Sequence, residues 1–268
     1  ETFCGGRCTA GQGVCPAVPW VAEGPHLKHE FVHVWRRRTT QVLNDCEAIV
    51  VANPVTRELF QAMMPAIGRL RWEVIEHGRD LERHAVRTPA DDGKLRLLLA
   101  GHVRVAKGSH FVQALRAADV GGRLEFHVLG SVWPDETGII DHGGYDRHEF
   151  AERVSEIDPH ALLLPSMTAE TYSHVVTEGW AAGLPVIATD RGAPAERIRR
   201  TGAGWLIDAD DPGVALRQIE AGFETERIAE VRQRVSEVSW PTTTEMADRY
   251  ADLYDELIEA RLTVRSGS

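Results

Sequence analysis

Apolar residues between positions 94 and 207 occur in short continuous runs, and segments with helical periodicity separate these runs. A run that is apolar throughout predicts a strand that is buried on both sides. Buried strands that alternate with helices are typical of a parallel sheet covered on both faces. We therefore predict an α/β fold, a Rossmann-like parallel sheet with strands at 95–100, 124–129, 161–164, 185–188 and 204–207 and helices near 109–118, 147–157, 174–182 and 194–201.

The N-terminal segment lacks this regular alternation. Residues 1–24 are rich in Gly, Pro and Cys, which is typical of an extended loop. An amphipathic helix is predicted over 27–43, followed by short strands at 47–53 and 71–78. Between these strands, Pro54 opens a further helix, because proline suits the first helical position.

Capping boxes mark two helix starts, one at Asp146–Glu149 and one at Thr242–Glu245. The second box begins the last of two helices that close the chain. We therefore expect four parts, namely a partial N-terminal Rossmann-like domain over 1–78, a linker over 79–93, the main ligand-binding domain over 94–240, and a C-terminal helix and tail over 241–268.

Charge and hydropathy exclude some function classes. The 268 residues carry a formal net charge of −10, which argues against nucleic-acid binding because phosphate contacts need a basic face. No apolar run approaches the ~20 residues that span a bilayer, and no secretory signal is visible. The chain begins with Glu rather than Met, so we expect a piece of a longer or processed polypeptide.

The cysteines bear on the cellular compartment. Cys4, Cys8 and Cys15 follow a C-x3-C-x6-C spacing, whereas zinc sites more often contain C-x2-C pairs. No cysteine follows Cys46. We expect free thiols in a reducing cytoplasm, with disulfides and a structural metal as alternatives. The role of the first three cysteines stays open.

Ligands of open parallel sheets bind at the carboxyl ends of the strands, where helix N-termini point. The first such loop here is AGHVRVAKGSH, residues 100–110. Gly101 permits a tight turn out of the strand, and Lys107 stands just before the next helix. A lysine beside the unpaired N–H groups of a helix start is a good phosphate site, to which His102 and Arg104 add charge. The alternative is a solvated loop before an ordinary helix start.

Two glutamates eight positions apart, Glu170 and Glu178, flank the next predicted helix start. Within one helix this spacing gives about 80° of rotation and ~12 Å of rise, so the carboxylates do not touch. Between them, the N–H groups of Tyr172, Ser173 and His174 lack helical partners. A ligand with hydroxyls at both ends and phosphates between them, such as a nucleoside-diphosphate sugar, fits this arrangement. The alternative is a capping residue and a solvated surface charge.

The segment PSMTAETYSHVVTEGWAAGLPVIATDRGAPAERIRRTGAGWLI resembles the C-terminal domain of GT-B fold, family-4-like (group 1) retaining glycosyltransferases. Their signature is E-x7-E, followed by a Gly-Leu-Pro-Val-type strand. LLLAGHVRVAKGSH resembles their Gly-Arg-x4-Lys-Gly loop, VIEHGRDL their interdomain hinge, and VSWPTTTEMADRYADLY their closing helix. The matches run in the family's order over roughly residues 45–258. The resemblance makes 94–240 the donor-binding domain.

The resemblance also implies roles for the candidate residues. Lys107 would bind the donor diphosphate, and Glu170 would contact the donor sugar near its reacting face. Tyr172 and Ser173 would present N–H groups to the phosphates, and Glu178 would accept both ribose hydroxyls. No metal or other cofactor is expected, because Lys107 and the helix dipole would stabilise the leaving diphosphate. On the base side, the segment His142–Tyr145 is the weaker candidate, with Tyr145 as the contacting residue.

The chain departs from the family pattern at three places. His102 stands where the family usually has a phosphate-binding arginine, and Arg104 is a substitute for it two residues later. Thr171-Tyr172-Ser173 replaces the usual Gly-Phe-Gly. Residues 1–78 hold only the tail of the family's acceptor-side domain.

The predicted function is sugar transfer from a nucleotide-sugar donor, with retention, to an unknown saccharide or lipid-linked acceptor. This would serve polysaccharide or glycoconjugate synthesis in the cytoplasm, with peripheral contact at the inner face of the membrane left open. The alternative is a non-catalytic nucleotide-sugar-binding domain of a larger protein.

A zinc metallohydrolase is the hypothesis of a different class, because residues 29–33 are HEFVH, an H-E-x-x-H motif. The predicted helix, however, puts His29 and His33 on a polar face beside Arg36 and Arg37.

Overall fold

The computed structural model of the chain describes residues 32–67, 70–134 and 138–266. Its helices are α1 (Val32–Asn44), α2 (Pro54–Met63), α3 (Ser109–Ala118), α4 (Phe150–Ile157), α5 (His174–Ala181), α6 (Gly192–Thr201), α7 (Pro212–Gly222), α8 (Thr225–Glu237) and α9 (Thr243–Ser266). Its strands are β1 (Ala48–Val51), β2 (Arg71–Val74), β3 (Leu95–Val103), β4 (Leu124–Val132), β5 (Ile139–Asp141), β6 (Ala161–Leu164), β7 (Val186–Thr189) and β8 (Gly204–Ile207). Short 3₁₀ turns lie at Val105–Lys107 and Arg147–Glu149.

The chain forms two units, one of residues 1–80 with 241–268 and the other of residues 81–240. In the first unit, the described part contains a parallel pair of strands, β1 and β2, joined through α2. Asn53 caps α2, since its side chain accepts a hydrogen bond from the N–H of Val55 at 3.0 Å. The predicted Thr242–Glu245 capping box is confirmed, because the Glu245 N–H donates to the Thr242 hydroxyl and the Thr242 N–H to the Glu245 carboxylate.

The second unit contains a six-stranded parallel sheet in the order β5-β4-β3-β6-β7-β8, flanked by helices. This confirms the predicted α/β fold class. The central strands are apolar throughout because both of their sides are buried, and Leu98, Leu162 and Ile187 are all 0% exposed. The predicted Asp146–Glu149 capping box is present at the 3₁₀ turn before α4.

Sequence analysis did not predict β5 and α7. β5 has three residues of intermediate or high exposure, so its composition carries no buried run. α7 does begin with a recognisable signal: the Asp211 carboxylate accepts from the N–H groups of Gly213 and Val214, with Pro212 at the first helical position. β3 and β4 also run three residues past the predicted ends, to Val103 and Val132.

The segment predicted as a linker lies largely in the second unit, which begins at Leu81. The N–H of His84 donates to the carbonyl of Ala181 at 2.8 Å, and that of Arg87 to the carbonyl of Gly183 at 3.1 Å. These bonds hold part of the segment against the end of α5.

The entry into α5 is the sharpest turn near the carboxyl edge of the sheet. Ser173 has φ +66° and ψ 96°, a left-handed region in which a side chain is unfavourable. The helix begins at His174, which is the first residue of the predicted range 174–182. Glu178 lies little more than one turn into the helix.

Ser173→Gly is expected to raise the free energy of unfolding by about 0.5–1 kcal/mol, because glycine adopts this backbone conformation without steric cost. Urea denaturation measures the change. Ser155→Gly, in the interior of α4, is the comparison and should lower stability by about 1–2 kcal/mol, because it loses helix propensity and the hydrogen bond that its hydroxyl accepts from Arg87. A loss of stability of equal size in both variants would contradict the strain assigned to Ser173.

Candidate functional site

Two loops meet at the carboxyl edge of the sheet, one after β3 and one after β6. The N–H of Met167 donates to the carbonyl of Ala106 at 3.0 Å. Gly108 has φ +89°, and a Cβ there would lie 1.9 Å from the carbonyl oxygen of Pro165. Only glycine allows this close approach of the two backbones. The contact brings the predicted phosphate loop against the loop that carries the first glutamate.

Lys107 and Glu170 form an ion pair at this junction, with 2.6 Å between Nζ and Oε2. The other oxygen of Glu170 accepts a hydrogen bond from the Ser166 hydroxyl. The Glu170 side chain is 11% exposed, whereas that of Lys107 is 46% exposed. The carboxylate is therefore fixed and the ammonium remains accessible to a ligand.

α6 fixes the backbone of Glu170. The Ala193 N–H donates to the Glu170 carbonyl at 2.8 Å. Gly192 has φ +63°, and a Cβ there would lie 2.6 Å from the Glu170 nitrogen. Arg191 also donates from Nη1 to the Met167 carbonyl at 2.9 Å. The start of α6 thus supports the whole 166–170 loop.

Glu178 projects from α5 and is 7% exposed. Arg147 lies beside it, with 3.9 Å between Nε and Oε1, and the Arg147 side chain is 60% exposed. Burial of a carboxylate is unfavourable unless a charge or hydrogen bonds compensate. The part of the alternative that makes Glu178 a solvated surface charge is therefore wrong. The two carboxylates lie on either side of the α5 N-terminus in sequence, one in the loop and one in the helix.

A buried arginine supports that N-terminus, and sequence analysis missed it. Arg197 is 1% exposed and donates to the carbonyls of Tyr172 at 3.3 Å and Ser173 at 2.9 Å. It also donates to the Thr177 hydroxyl at 2.7 Å. Its guanidinium lies 4.1 Å from the centre of the Tyr172 ring and 5.0 Å from that of Trp180. Arg197 thereby satisfies the carbonyls of the strained turn and adds positive charge beneath the helix start.

The remaining candidate residues of these two loops differ in how far their side chains are exposed. Tyr172 is 2% exposed, so its ring belongs to the core, and it packs edge-on against His174 at 5.5 Å. His174 itself is exposed at the first helical position. His102 is exposed at the end of β3 and its Nδ1 lies 2.8 Å from the Ser131 hydroxyl.

Gly101 and Arg104 complete the phosphate-loop candidates. Gly101 adopts φ +82° near the end of β3, with open space where a Cβ would lie, and Arg104 is exposed in extended conformation before the 3₁₀ turn. The chain thus turns out of the strand before it reaches Lys107. Gly101 and His102 lie within β3 and Arg104 and Lys107 follow it, so the prediction that the chain turns out of the strand at Gly101 is wrong.

The weak base-side candidate lies in the loop after β5. The ring centre of Tyr145 lies 5.1 Å from that of Phe150, which is buried in α4. His142 stacks on His127, with Nε2 of the former 2.9 Å from Nδ1 of the latter. Burial lowers the pKa of His127 below its ordinary value, with neighbouring Glu125 opposing the shift. These contacts hold the loop at the edge of the sheet.

Two other features fall outside this site. The H-E-x-x-H prediction concerns residues 29–33, whose side chains lie outside the described part of the chain. The same is true of Cys4, Cys8 and Cys15, whereas Cys46 is a free, exposed thiol. Among the described helices, none is long and apolar enough to cross a membrane.

Solved structures with the same fold are found among sugar-transferring enzymes. Sucrose-phosphate synthase from Thermosynechococcus elongatus is 18% identical with a TM-score of 0.66, over 85% of this chain and 62% of that one. Anabaena HepE in complex with UDP and glucose is 14% identical with a TM-score of 0.64, over 84% of this chain and 67% of that one. At these identities the likeness concerns the fold, which is that of GT-B glycosyltransferases.

Two curated relatives extend the likeness to sequence. WcaC of Escherichia coli (strain K12), named for a glycosyl transferase role in colanic acid biosynthesis, is 23% identical over 94% of this chain. The GDP-mannose-dependent alpha-mannosyltransferase of Mycobacterium tuberculosis (strain CDC 1551 / Oshkosh) is 31% identical over 54% of this chain. The aligned parts span 65% and 38% of the length of these relatives.

The family described as "Glycosyl transferases group 1" matches residues 85–238. This range is more than half of the chain and contains the Lys107 loop, both buried glutamates and the helices that support them. The chain belongs to the group 1 glycosyl transferases.

Proposed function

We propose that the second unit binds a nucleoside-diphosphate sugar and that the protein transfers the sugar to an acceptor with retention of anomeric configuration. One observation carries the proposal: two buried carboxylates, Glu170 and Glu178, flank a supported helix start, and an accessible Lys107 contacts the first of them at 2.6 Å. A carboxylate, a region of positive charge and a second carboxylate follow one another here, as the sugar, the diphosphate and the ribose follow one another in such a donor. Sugar and ribose offer hydroxyl donors, and the diphosphate offers negative charge.

The diphosphate is proposed to bind at the N-terminus of α5. The first N–H groups of a helix have no partner within it and point outward with the positive end of the helix dipole. Lys107 adds a full positive charge at the same edge. When the glycosyl–phosphate bond breaks, charge grows on the diphosphate, and these groups stabilise it in place. In this proposal no metal ion or other cofactor is required.

The ribose is proposed to bind at Glu178. A carboxylate accepts hydrogen bonds from two neighbouring hydroxyls, and such charge-assisted bonds are stronger than neutral ones. Glu178 is 7% exposed, and Arg147 lies 3.9 Å from it. A ligand with two neighbouring hydroxyls could donate to both oxygens of this carboxylate.

Glu170 is proposed to face the reacting sugar. Without donor its carboxylate is held by Lys107 and Ser166. A sugar that loses its phosphate passes through an oxocarbenium-like state with positive charge. A fixed negative carboxylate nearby stabilises this state more than the uncharged sugar ring of the intact donor, which is the condition for catalysis. The departing diphosphate would at the same time draw Lys107 toward itself.

Similar proteins support the class of donor. HepE is described with UDP and glucose, and the mannosyltransferase is named for GDP-mannose. Because these two donors carry different bases, the nucleotide of this chain stays open, and Tyr145 is the proposed base-side contact. A saccharide or lipid-linked acceptor in cytoplasmic polysaccharide synthesis is proposed by analogy with the colanic acid role for which WcaC is named.

At least one of UDP, GDP, ADP and dTDP is expected to bind this chain in isothermal titration calorimetry with a Kd below about 1 mM. For the ribonucleotide that binds, Glu178→Gln and loss of the ribose 2′-hydroxyl should each weaken binding about tenfold. Combined, the two changes should weaken binding little more than either alone, because both remove the same hydrogen bonds. Fully additive losses would refute the contact between Glu178 and ribose.

Glu170→Gln and Lys107→Met are expected to change nucleotide binding in opposite directions. The first releases Lys107 from its ion pair, so the affinity for nucleoside diphosphate is kept or raised. The second removes the cation and weakens binding about tenfold. In the full-length protein, Glu170→Gln should lower the transfer rate by about 10²–10³-fold. Exposed Glu152, changed to Gln, is the control for both assays.

Unchanged transfer in the Glu170→Gln protein would exclude the catalytic role, and with nucleotide binding intact it would favour a different catalytic group. Nucleotide binding without any transfer by the full-length protein would instead support the non-catalytic binding domain. Proton NMR of the product tests retention, because an α-linked donor should give an α-linked product.

Arg197→Met is expected to lower the free energy of unfolding by about 2–4 kcal/mol, since the carbonyls of Tyr172 and Ser173 lose their buried donor. At temperatures where the variant is folded, the substitution should weaken the binding of UDP more than the binding of uridine. The reason is that the helix start is proposed to contact only the phosphates. Arg197→Lys should restore part of both losses. Arg200→Met, on the exposed side of α6, should change stability by no more than about 0.5 kcal/mol. Equal weakening of uridine and UDP would oppose the positioning role.

A further inference from the structure

A second cleft lies at the opposite edge of the same sheet, where the strands begin. Its wall includes Lys94 and Leu95 at the start of β3, Arg123 just before β4, and His160 just before β6. Arg232 of α8 closes one side. The volume is about 410 Å³, within the range of about 300–1,000 Å³ that holds small-molecule ligands. All of its lining residues belong to the second unit.

The cleft is separate from the proposed donor site. β3 has nine residues, and at a rise of about 3.3 Å each it carries the chain some 30 Å from one edge to the other. Lys94 and Lys107 stand beyond opposite ends of this strand. The features of the cleft therefore need an explanation other than donor binding.

Arg232 is the residue that needs a partner. Its Nε lies buried without a hydrogen-bond partner, and within the described residues its guanidinium forms no ion pair. Burial lowers the pKa of Arg232, and no neighbouring acid opposes the shift. Arg232 as a whole is partly exposed, and a partly buried guanidinium without a counter-charge can gain stability from a bound anion. A perturbed charged group that lines a cleft is a candidate for a ligand-binding residue.

The other polar groups of the cleft are suited to the same kind of ligand. Lys94 donates to the Gly122 carbonyl at 2.6 Å, and Arg123 pairs with Glu220 at 3.1 Å while 52% exposed. Both therefore retain donor capacity, because an ammonium has three hydrogens and a guanidinium five. The one acidic residue in the wall, Asp91, accepts a hydrogen bond from the backbone N–H of Gly93.

His160 adds a neutral donor. Its Nδ1 accepts the backbone N–H of Arg96 at 3.1 Å, so in the neutral ring the proton lies on Nε2. Burial lowers the pKa of His160, and nearby Arg96 lowers it further, which keeps the ring neutral near pH 7. The ring packs edge-on against Phe223 at 5.9 Å. Leu95, Phe223 and Ile228 provide the apolar part of the wall.

We propose that this cleft binds a small organic anion, with its negative head at Lys94, Arg123 and Arg232 and its apolar body against Leu95, Phe223 and Ile228. Three cationic side chains in one cleft favour a doubly charged phosphate monoester over a carboxylate. The proposal is independent of the function proposed for the carboxyl edge.

Phenyl phosphate is a suitable probe because it combines the head with a compact apolar body. Isothermal titration calorimetry of the whole chain in low salt is expected to give saturable one-to-one binding with a Kd of about 1 mM or below. Benzoate should bind more weakly than phenyl phosphate. Inorganic phosphate lacks the apolar body and phenol lacks the charged head, so these two should bind weakest. The nucleoside diphosphate that binds this chain best, at saturation, should leave the phenyl phosphate affinity unchanged. Competition by this nucleotide would assign the probe to the donor site and overturn the proposal.

Arg232→Met tests the residue itself. This substitution should weaken the binding of phenyl phosphate about tenfold or more, because it removes a charged hydrogen-bond donor. The same substitution should leave the melting temperature of the ligand-free chain unchanged or raise it, since it removes a partly buried charge that has no partner. Arg227→Met, at an exposed position of α8 outside the cleft, is the matched control and should change neither value.

Lys94→Met provides a second variant at the exposed start of β3, and it should also weaken the binding of phenyl phosphate. Absence of saturable binding up to about 10 mM phenyl phosphate would overturn the proposal. So would equal weakening by Arg232→Met and Arg227→Met. A lower melting temperature with unchanged affinity in Arg232→Met would show a structural role instead.

Discussion

The contact between Lys107 and Glu170 depends on close backbone approaches at which any side chain larger than that of glycine would clash. Gly108 against Pro165 allows one loop to lie on the other, and Gly192 against Glu170 does the same for the start of α6. Because these contacts involve main-chain atoms, they leave little freedom for the side chains that they position. A fixed carboxylate beside an accessible ammonium is the result, and every proposed role at this edge depends on that geometry.

Burial of charge is the second constraint. Glu170 and Glu178 are almost buried, and the surrounding structure supplies positive charge through Lys107, Arg147 and the helix start. Arg197 is buried as well, and it stabilises the turn that directs this helix start outward. The same principle at the other edge of the sheet distinguishes Arg232, for which no described residue supplies the opposite charge.

Much of this arrangement could be predicted from the sequence, because the positions of the central strands follow from buried apolar runs and the loops follow from strand ends. The Lys107 loop and the glutamate pair were found in that way. The burial of Glu178 was not predictable, since it depends on how α5 packs against its neighbours. Arg197 was also missed, because RIRR contains three arginines and only the packing of α6 beside α5 distinguishes one of them. β5 was too short to produce a pattern.

The central claim is that a nucleoside diphosphate binds between the two buried glutamates. The most direct test is a crystal structure of this chain with the nucleoside diphosphate that binds it best. We predict the phosphates at the N-terminus of α5 within hydrogen-bond distance of Lys107 Nζ, and both ribose hydroxyls on the Glu178 carboxylate. A nucleotide bound elsewhere, or with its ribose turned away from Glu178, would contradict the account.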